Sequence, residues 1–132
     1  MSLKIDHVGV AVKSLPETIQ FLDKTFSLKP SEIVETSNMK GAFIPIGDSE
    51  IELIEPTDPN LPIAHFIAKN GEGIHHISIR VNNIEETLEE LKKKGIKLID
   101  EKPRIGIHGT KIAFIKPGST KGILIELCEA KT

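Results

Sequence analysis

Four residues carry the side chains from which this sequence could build a reactive centre: His7, Glu52, His76 and Glu126. Each histidine stands near the start of a run with strand alternation, IDHVGVAV at 5–12 and GIHHISIRV at 73–81. Each glutamate stands between aliphatic neighbours, Glu52 in IELI and Glu126 in IEL. A carboxylate in such a strand is costly to bury unless it is paired or bound to a cation. Two imidazoles and two carboxylates form a donor set for a divalent transition-metal ion. Such an ion can act as a Lewis acid on an oxygen bound to it. A duplication with no chemistry attached would leave the same four residues, with the glutamates solvated on an edge strand.

The elements that must position these residues occur twice. DHVGVAVKSLPETIQFL from Asp6 aligns without a gap on HHISIRVNNIEETLEEL from His75, an offset of 69 residues. His7 falls on His76, and Val8, Val10 and Val12 fall on Ile77, Ile79 and Val81. Alternation puts His7 on one face with Ile5, Gly9 and Ala11, and His76 on one face with Ser78 and Arg80. The valine and isoleucine faces are expected to pack against helices. The histidine faces carry small residues and leave room for a ligand. His75 falls on the isoleucine face, so His76 is the chemically interesting member of the pair.

Each strand runs into a helix, expected over about 15–27 and 84–94. Leu15, Ile19, Leu22 and Phe26 share one stripe of the first. Ser14 with Glu17 makes a capping box, Asn83 with Glu86 a similar one, and Gly95 closes the second helix. Two hairpins follow the same repeat, AFIPIGDSEIELIE at 42–55 and AFIKPGSTKGILIELCE at 113–129, the second with the longer turn. Weaker strands are expected near 31–37 and 96–100. The chain therefore reads as an α+β protein of two tandem βαβββ modules, about 4–56 and 72–129. Residues 57–71 link them, with a short helix from about Leu61 to Asn70. One domain over 1–132 is expected, because neither half could cover both sides of its own sheet.

The bulk properties agree. The chain has 132 residues, 39% of them apolar, with no Trp or Tyr, so the core must be aliphatic with a few Phe. A net charge of −2 argues against a nucleic-acid partner. No apolar run is long enough for a membrane span, and MSLKIDHVG lacks the apolar stretch of a signal peptide. The single cysteine, Cys128, excludes an internal disulfide and is read as a small packing residue. A soluble, cytoplasmic protein is expected, with no membrane partner.

The segments DHVGVAV, GDSEIELIEP, PIAHFIAKNGEGIHHISIRV, GIHGTKIAFIKP and GILIEL run from residue 6 to 128. Together they resemble the vicinal-oxygen-chelate superfamily, the glyoxalase fold, and within it the methylmalonyl-CoA epimerases. PIAHFIAKNGEGIHHI is specific to the epimerases, whereas DHVGVAV marks the superfamily alone. The resemblance implies a curved mixed sheet around a metal site with His7, Glu52, His76 and Glu126 as ligands. It implies one divalent ion, Co²⁺, Mn²⁺, Ni²⁺ or Zn²⁺, and an acyl-CoA substrate chelating through two open positions. The implied reaction interconverts (2R)- and (2S)-methylmalonyl-CoA by removing the C2 proton, through an enolate that the ion stabilises.

By the same resemblance Glu126 is the base. Some epimerases carry a second catalytic Glu on the strand before the hairpin turn, where this sequence has Gly41. His108, in the loop RIGIHGTK, is the candidate for the missing acid–base group, beside its plain reading as a surface residue. Arg104, Lys111 and Lys121, near that loop or the last hairpin, are the candidates to meet CoA phosphates. Members commonly form homodimers. Two other readings share the fold: a lactoylglutathione lyase acting on the methylglyoxal–glutathione hemithioacetal, and a metal-free drug-sequestering protein. Four intact candidate ligands argue against the second.

Overall fold

The computed structural model describes residues 3–130. The chain divides into two compact units, one from His7 to His75 and the other from residues up to Asp6 together with those from His76 onward.

The first unit contains β1 (Lys4–Ala11, begun in the other unit), α1 (Leu15–Phe26), β2 (Glu32–Glu35), β3 (Met39–Ile46), β4 (Ser49–Pro56) and α2 (Pro62–Asn70). Its strands lie in the order β2-β3-β4-β1, with β1 parallel to β4 and the other neighbours antiparallel. Val12, Ala42, Ile44 and Leu53, joined by Val10 and Ile51, pack against Leu15, Ile19 and Leu22 of α1. The valine face of β1 therefore meets the helix. Across from it, α2 lays Ile63, Phe66 and Ile67 on Ala11 and Ile54. These two are register partners. This helix covers the far end of the face that carries His7 and Glu52.

One expectation for α1 fails. Phe26 is 67% exposed and does not extend the buried stripe. Ser27 adopts a left-handed conformation, and the amides of Ser27 and Leu28 bond back to the carbonyls of Asp23 and Leu22. The chain turns there, and Leu28 packs on the core instead.

The second unit contains most of β5 (Gly73–Val81), α3 (Ile84–Lys93), β6 (Arg104–Ile105), β7 (Lys111–Ile115) and β8 (Ile125–Glu129), with a 3₁₀ turn at Pro117–Thr120. Its strand order is β5-β8-β7-β6, with β5 parallel to β8. Val81, Ala113, Ile115 and Leu127 pack with Ile84, Leu88 and Leu98. The strand expected at 96–100 is absent. Leu98 makes one isolated bridge to Ile115, and the edge strand is the two-residue β6 further on. Side chains supply what a ladder would have: the Phe114 amide donates to Asp100 Oδ2 at 2.9 Å, and the Lys97 amide donates to Ser119 Oγ at 2.8 Å. The amides of both Ile99 and Asp100 converge on the Phe114 carbonyl, which bends the segment out of register.

The helix starts are held alike in both units. Ser14 Oγ accepts from the Glu17 amide at 3.3 Å, and Asn83 Oδ1 from the Glu86 amide at 3.1 Å. A second, non-local cap was not foreseen. Leu15 N donates to Glu55 Oε1 at 2.7 Å and Ile84 N to Glu129 Oε2 at 3.0 Å. Glu55 and Glu129 are equivalent in the repeat, each on the last strand of its module, and each puts a carboxylate at a helix N-terminus. Glu129→Ala is expected to lower stability by about 1 kcal/mol. The check is a lower urea midpoint with an unchanged slope, while Glu129→Gln, which keeps an acceptor, should lose less. No described helix is long and apolar enough to cross a membrane.

Candidate functional site

In the first unit, β1 and β4 run parallel with Gly9 in register with Glu52. Phe43 of β3 is the antiparallel partner of Glu52. The flanking Ile51 and Leu53 go to the helix side, so Glu52 is turned to the face of His7. His7 Nε2 and Glu52 Oε2 come to 3.7 Å. Both side chains are buried, at 5% and 4% exposure. They are among the buried groups able to hold a metal ion.

The second unit repeats the arrangement. β5 and β8 are parallel with Ser78 in register with Glu126, and Phe114 of β7 is the partner of Glu126 on the other side. His76 Nε2 lies 3.8 Å from Glu126 Oε2, and both residues are 4% exposed. The Phe114 ring meets the His76 imidazole edge-on at 5.4 Å between centroids, which fixes the ring's orientation. His75 is half-buried and packs edge-on against Phe66 of α2 at 5.1 Å. The two adjacent histidines thus have different surroundings, as alternation requires.

The gaps of 3.7 and 3.8 Å exceed a direct N–H···O hydrogen bond. They are somewhat wider than the roughly 3.0–3.4 Å between neighbouring donors that share one ion through bonds of roughly 2.1 Å. A buried carboxylate is costly unless it is paired or bound to a cation, and here each lies beside an imidazole. Imidazole and carboxylate are donors of the kind a divalent transition-metal ion takes.

Residues 6–114 match the family model of the Glyoxalase/Bleomycin resistance protein/Dioxygenase superfamily. The chain belongs to this superfamily. Within it, the mitochondrial methylmalonyl-CoA epimerase of Homo sapiens is 35% identical over 130 residues, covering 96% of this chain and 74% of that protein. A structure of a methylmalonyl-CoA epimerase in complex with methylmalonyl-CoA and NH₄⁺ superposes with a TM-score of 0.93 at 29% identity, covering 99% and 97% of the two chains. A hypothetical protein from Bacillus halodurans C-125 superposes with a TM-score of 0.96 at 42% identity, covering 100% and 97%. This member of the superfamily is an isomerase of the epimerase branch. It has the α+β fold of paired βαβββ modules that the sequence predicts.

The remaining sequence candidates fall in different places. His108 lies in the turn between β6 and β7 and is half-buried. Arg104 is exposed, bonded through Nε to Asp100 at 3.2 Å, with its guanidinium 5.6 Å from the centroid of the Phe114 ring that packs on His76. Lys111 is held by Glu85 of α3 at 2.9 Å, which directs its ammonium to the helix side, and Lys121 is exposed after the 3₁₀ turn. Sequence reading did not single out Phe114 or Ser78. The signal for Ser78 was shared parity with His76, and that for Phe114 was its match to Phe43 in the repeat.

Cys128 is buried, with its thiol 3.4 Å from the Thr110 hydroxyl. Burial pushes the thiol up to about 11, with Asp6 and Glu126 adding to the rise and the Thr110 hydrogen bond opposing it. At pH 8 roughly a thousandth of it would be thiolate, so the folded protein should resist alkylation. Iodoacetamide should label the native protein far more slowly than the urea-unfolded chain, as read by mass spectrometry.

Proposed function

We propose that the protein interconverts (2R)- and (2S)-methylmalonyl-CoA by removing the proton at C2 and returning it to the opposite face. The observation that carries this reading is the buried His–Glu pair present in each of two matched modules, in a chain whose relatives are methylmalonyl-CoA epimerases. His7, Glu52, His76 and Glu126 are the ligands of one divalent ion per chain, Co²⁺, Mn²⁺, Ni²⁺ or Zn²⁺, and the two units work as one domain. When bound, the ion supplies Lewis-acid stabilisation of the negative charge that develops on the thioester oxygen.

The chain's own residues handle the proton. Glu126 takes it at a carboxylate oxygen. Burial among β7, β8 and β5 limits the water that would compete for that oxygen. Phe114 keeps the His76 ring in place beside it. His108, in the turn between β6 and β7, is the group that returns a proton from the other face, directly or through a water. Gly41, in register with Ile54, brings no carboxylate for that task. Arg104, beside Phe114, is the cation best placed for an acyl-CoA phosphate. The working form is a cytoplasmic homodimer, which sedimentation of the purified protein would check.

The metal-loaded protein should convert one methylmalonyl-CoA epimer into the other, followed by a stereospecific coupled assay. It should leave the methylglyoxal–glutathione hemithioacetal unchanged. Turnover of the hemithioacetal without turnover of methylmalonyl-CoA would replace this reading with the lyase.

A further inference from the structure

Ser78 is wholly buried, at 0% exposure, and among the described residues its Oγ has no hydrogen-bond partner. A buried hydroxyl in that condition is a net loss that glycine or alanine would avoid. Its position is specific. Ser78 lies two residues after His76 on the same face of β5 and in register with Glu126 of β8. The matched position in the first module is Gly9, in register with Glu52. The two glutamates otherwise have parallel surroundings: a phenylalanine across the antiparallel ladder, Phe43 or Phe114, and a histidine at 3.7 or 3.8 Å. A hydroxyl stands in register with Glu126, and no side chain stands there for Glu52.

We infer that Ser78 is a positioning residue for Glu126. In the working site its O–H donates to the Glu126 carboxylate and orients the oxygen that accepts the C2 proton. Rotation about χ1 between staggered wells re-aims Oγ without moving the backbone. A hydrogen bond to an ionised carboxylate is stronger than one between neutral groups. The same feature accounts for an asymmetry between equivalent carboxylates, one acting as base and the other only as ligand. This inference rests on the reading of Glu126 as the base.

The experiment is a double-mutant cycle on the metal-loaded protein with methylmalonyl-CoA, using Ser78→Ala, Ser78→Thr, Glu126→Gln and the Ser78→Ala/Glu126→Gln combination. Deuterium uptake at C2 reads the slow variants, and metal content and melting temperature are measured on each. Ser78→Ala should keep its metal, its KM and a melting temperature at or above the wild type. Its kcat should fall about tenfold. Ser78→Thr should recover most of that loss, and Ser78→Ala should cost nothing further once Glu126 is Gln. A kcat for Ser78→Ala within twofold of wild type, beside a collapse in Glu126→Gln, would overturn the role of Ser78 and leave the base in place. An equal further loss in the Glu126→Gln background, or a lowered melting temperature, would reduce Ser78 to packing. Near-wild-type activity in Glu126→Gln would remove the base itself, and the inference with it.

Discussion

Glu126→Gln is expected to lower methylmalonyl-CoA turnover about 10²–10⁴-fold, the usual cost of losing a positioned general base. Gln has nearly the same shape and keeps an oxygen that can ligate, so metal content should survive far better than activity. The amide cannot take up the proton as a carboxylate does. Glu52 is the control. It is buried to the same 4% and stands at a comparable distance from its histidine. Its assigned role is ligation alone, which Gln oxygen can also perform, so Glu52→Gln should be mild. The measurement is kcat with metal analysis on the same samples. Full activity in metal-replete Glu126→Gln would move the base elsewhere, with His108 next in line.

The second large effect concerns the adjacent histidines. His76→Ala should weaken divalent-metal binding by more than the roughly 10–100-fold that removal of an outer partner of a metal site costs. His75→Ala should leave affinity close to wild type. The two side chains start from neighbouring Cα atoms and end in different company: His76 at 4% exposure beside Glu126 and Phe114, His75 half-buried against Phe66. Titration with Co²⁺ or Mn²⁺ should give about one ion per wild-type chain. Equal losses in the two variants would mean that His76 is not a ligand.

Much of this was legible in the sequence because the chain says it twice. A lone histidine opening a strand is uninformative. His7 and His76 at one register, followed by Glu52 and Glu126 at another, carry more, because a period of two dictates which neighbours share their face. Val10 and Val12 went to the helix side and both histidines to buried positions for that reason. The failures lie where non-local side chains replace backbone pairing. Nothing local in 96–100 announces that Asp100 will bond the Phe114 amide instead of extending a ladder. Phe26 fits the helical stripe in every respect except that it is the last residue of the helix. Glu55 and Glu129 matched in the repeat, yet their role as distant helix caps depends on where strand ends meet helix starts. Ser78 stood in plain view on the His76 face, but only the packed strands reveal a hydroxyl sealed beside Glu126 without an acceptor.

Proton exchange at C2 of methylmalonyl-CoA tests the central claim most directly. One epimer is incubated in D₂O with the protein loaded with Co²⁺ or Mn²⁺, and the C2 position is followed by NMR. Deuterium should enter at C2 as the second epimer accumulates. Chelation of the ion should stop both, and Glu126→Gln should slow both together. A loaded, folded protein that leaves the C2 proton in place would contradict the account.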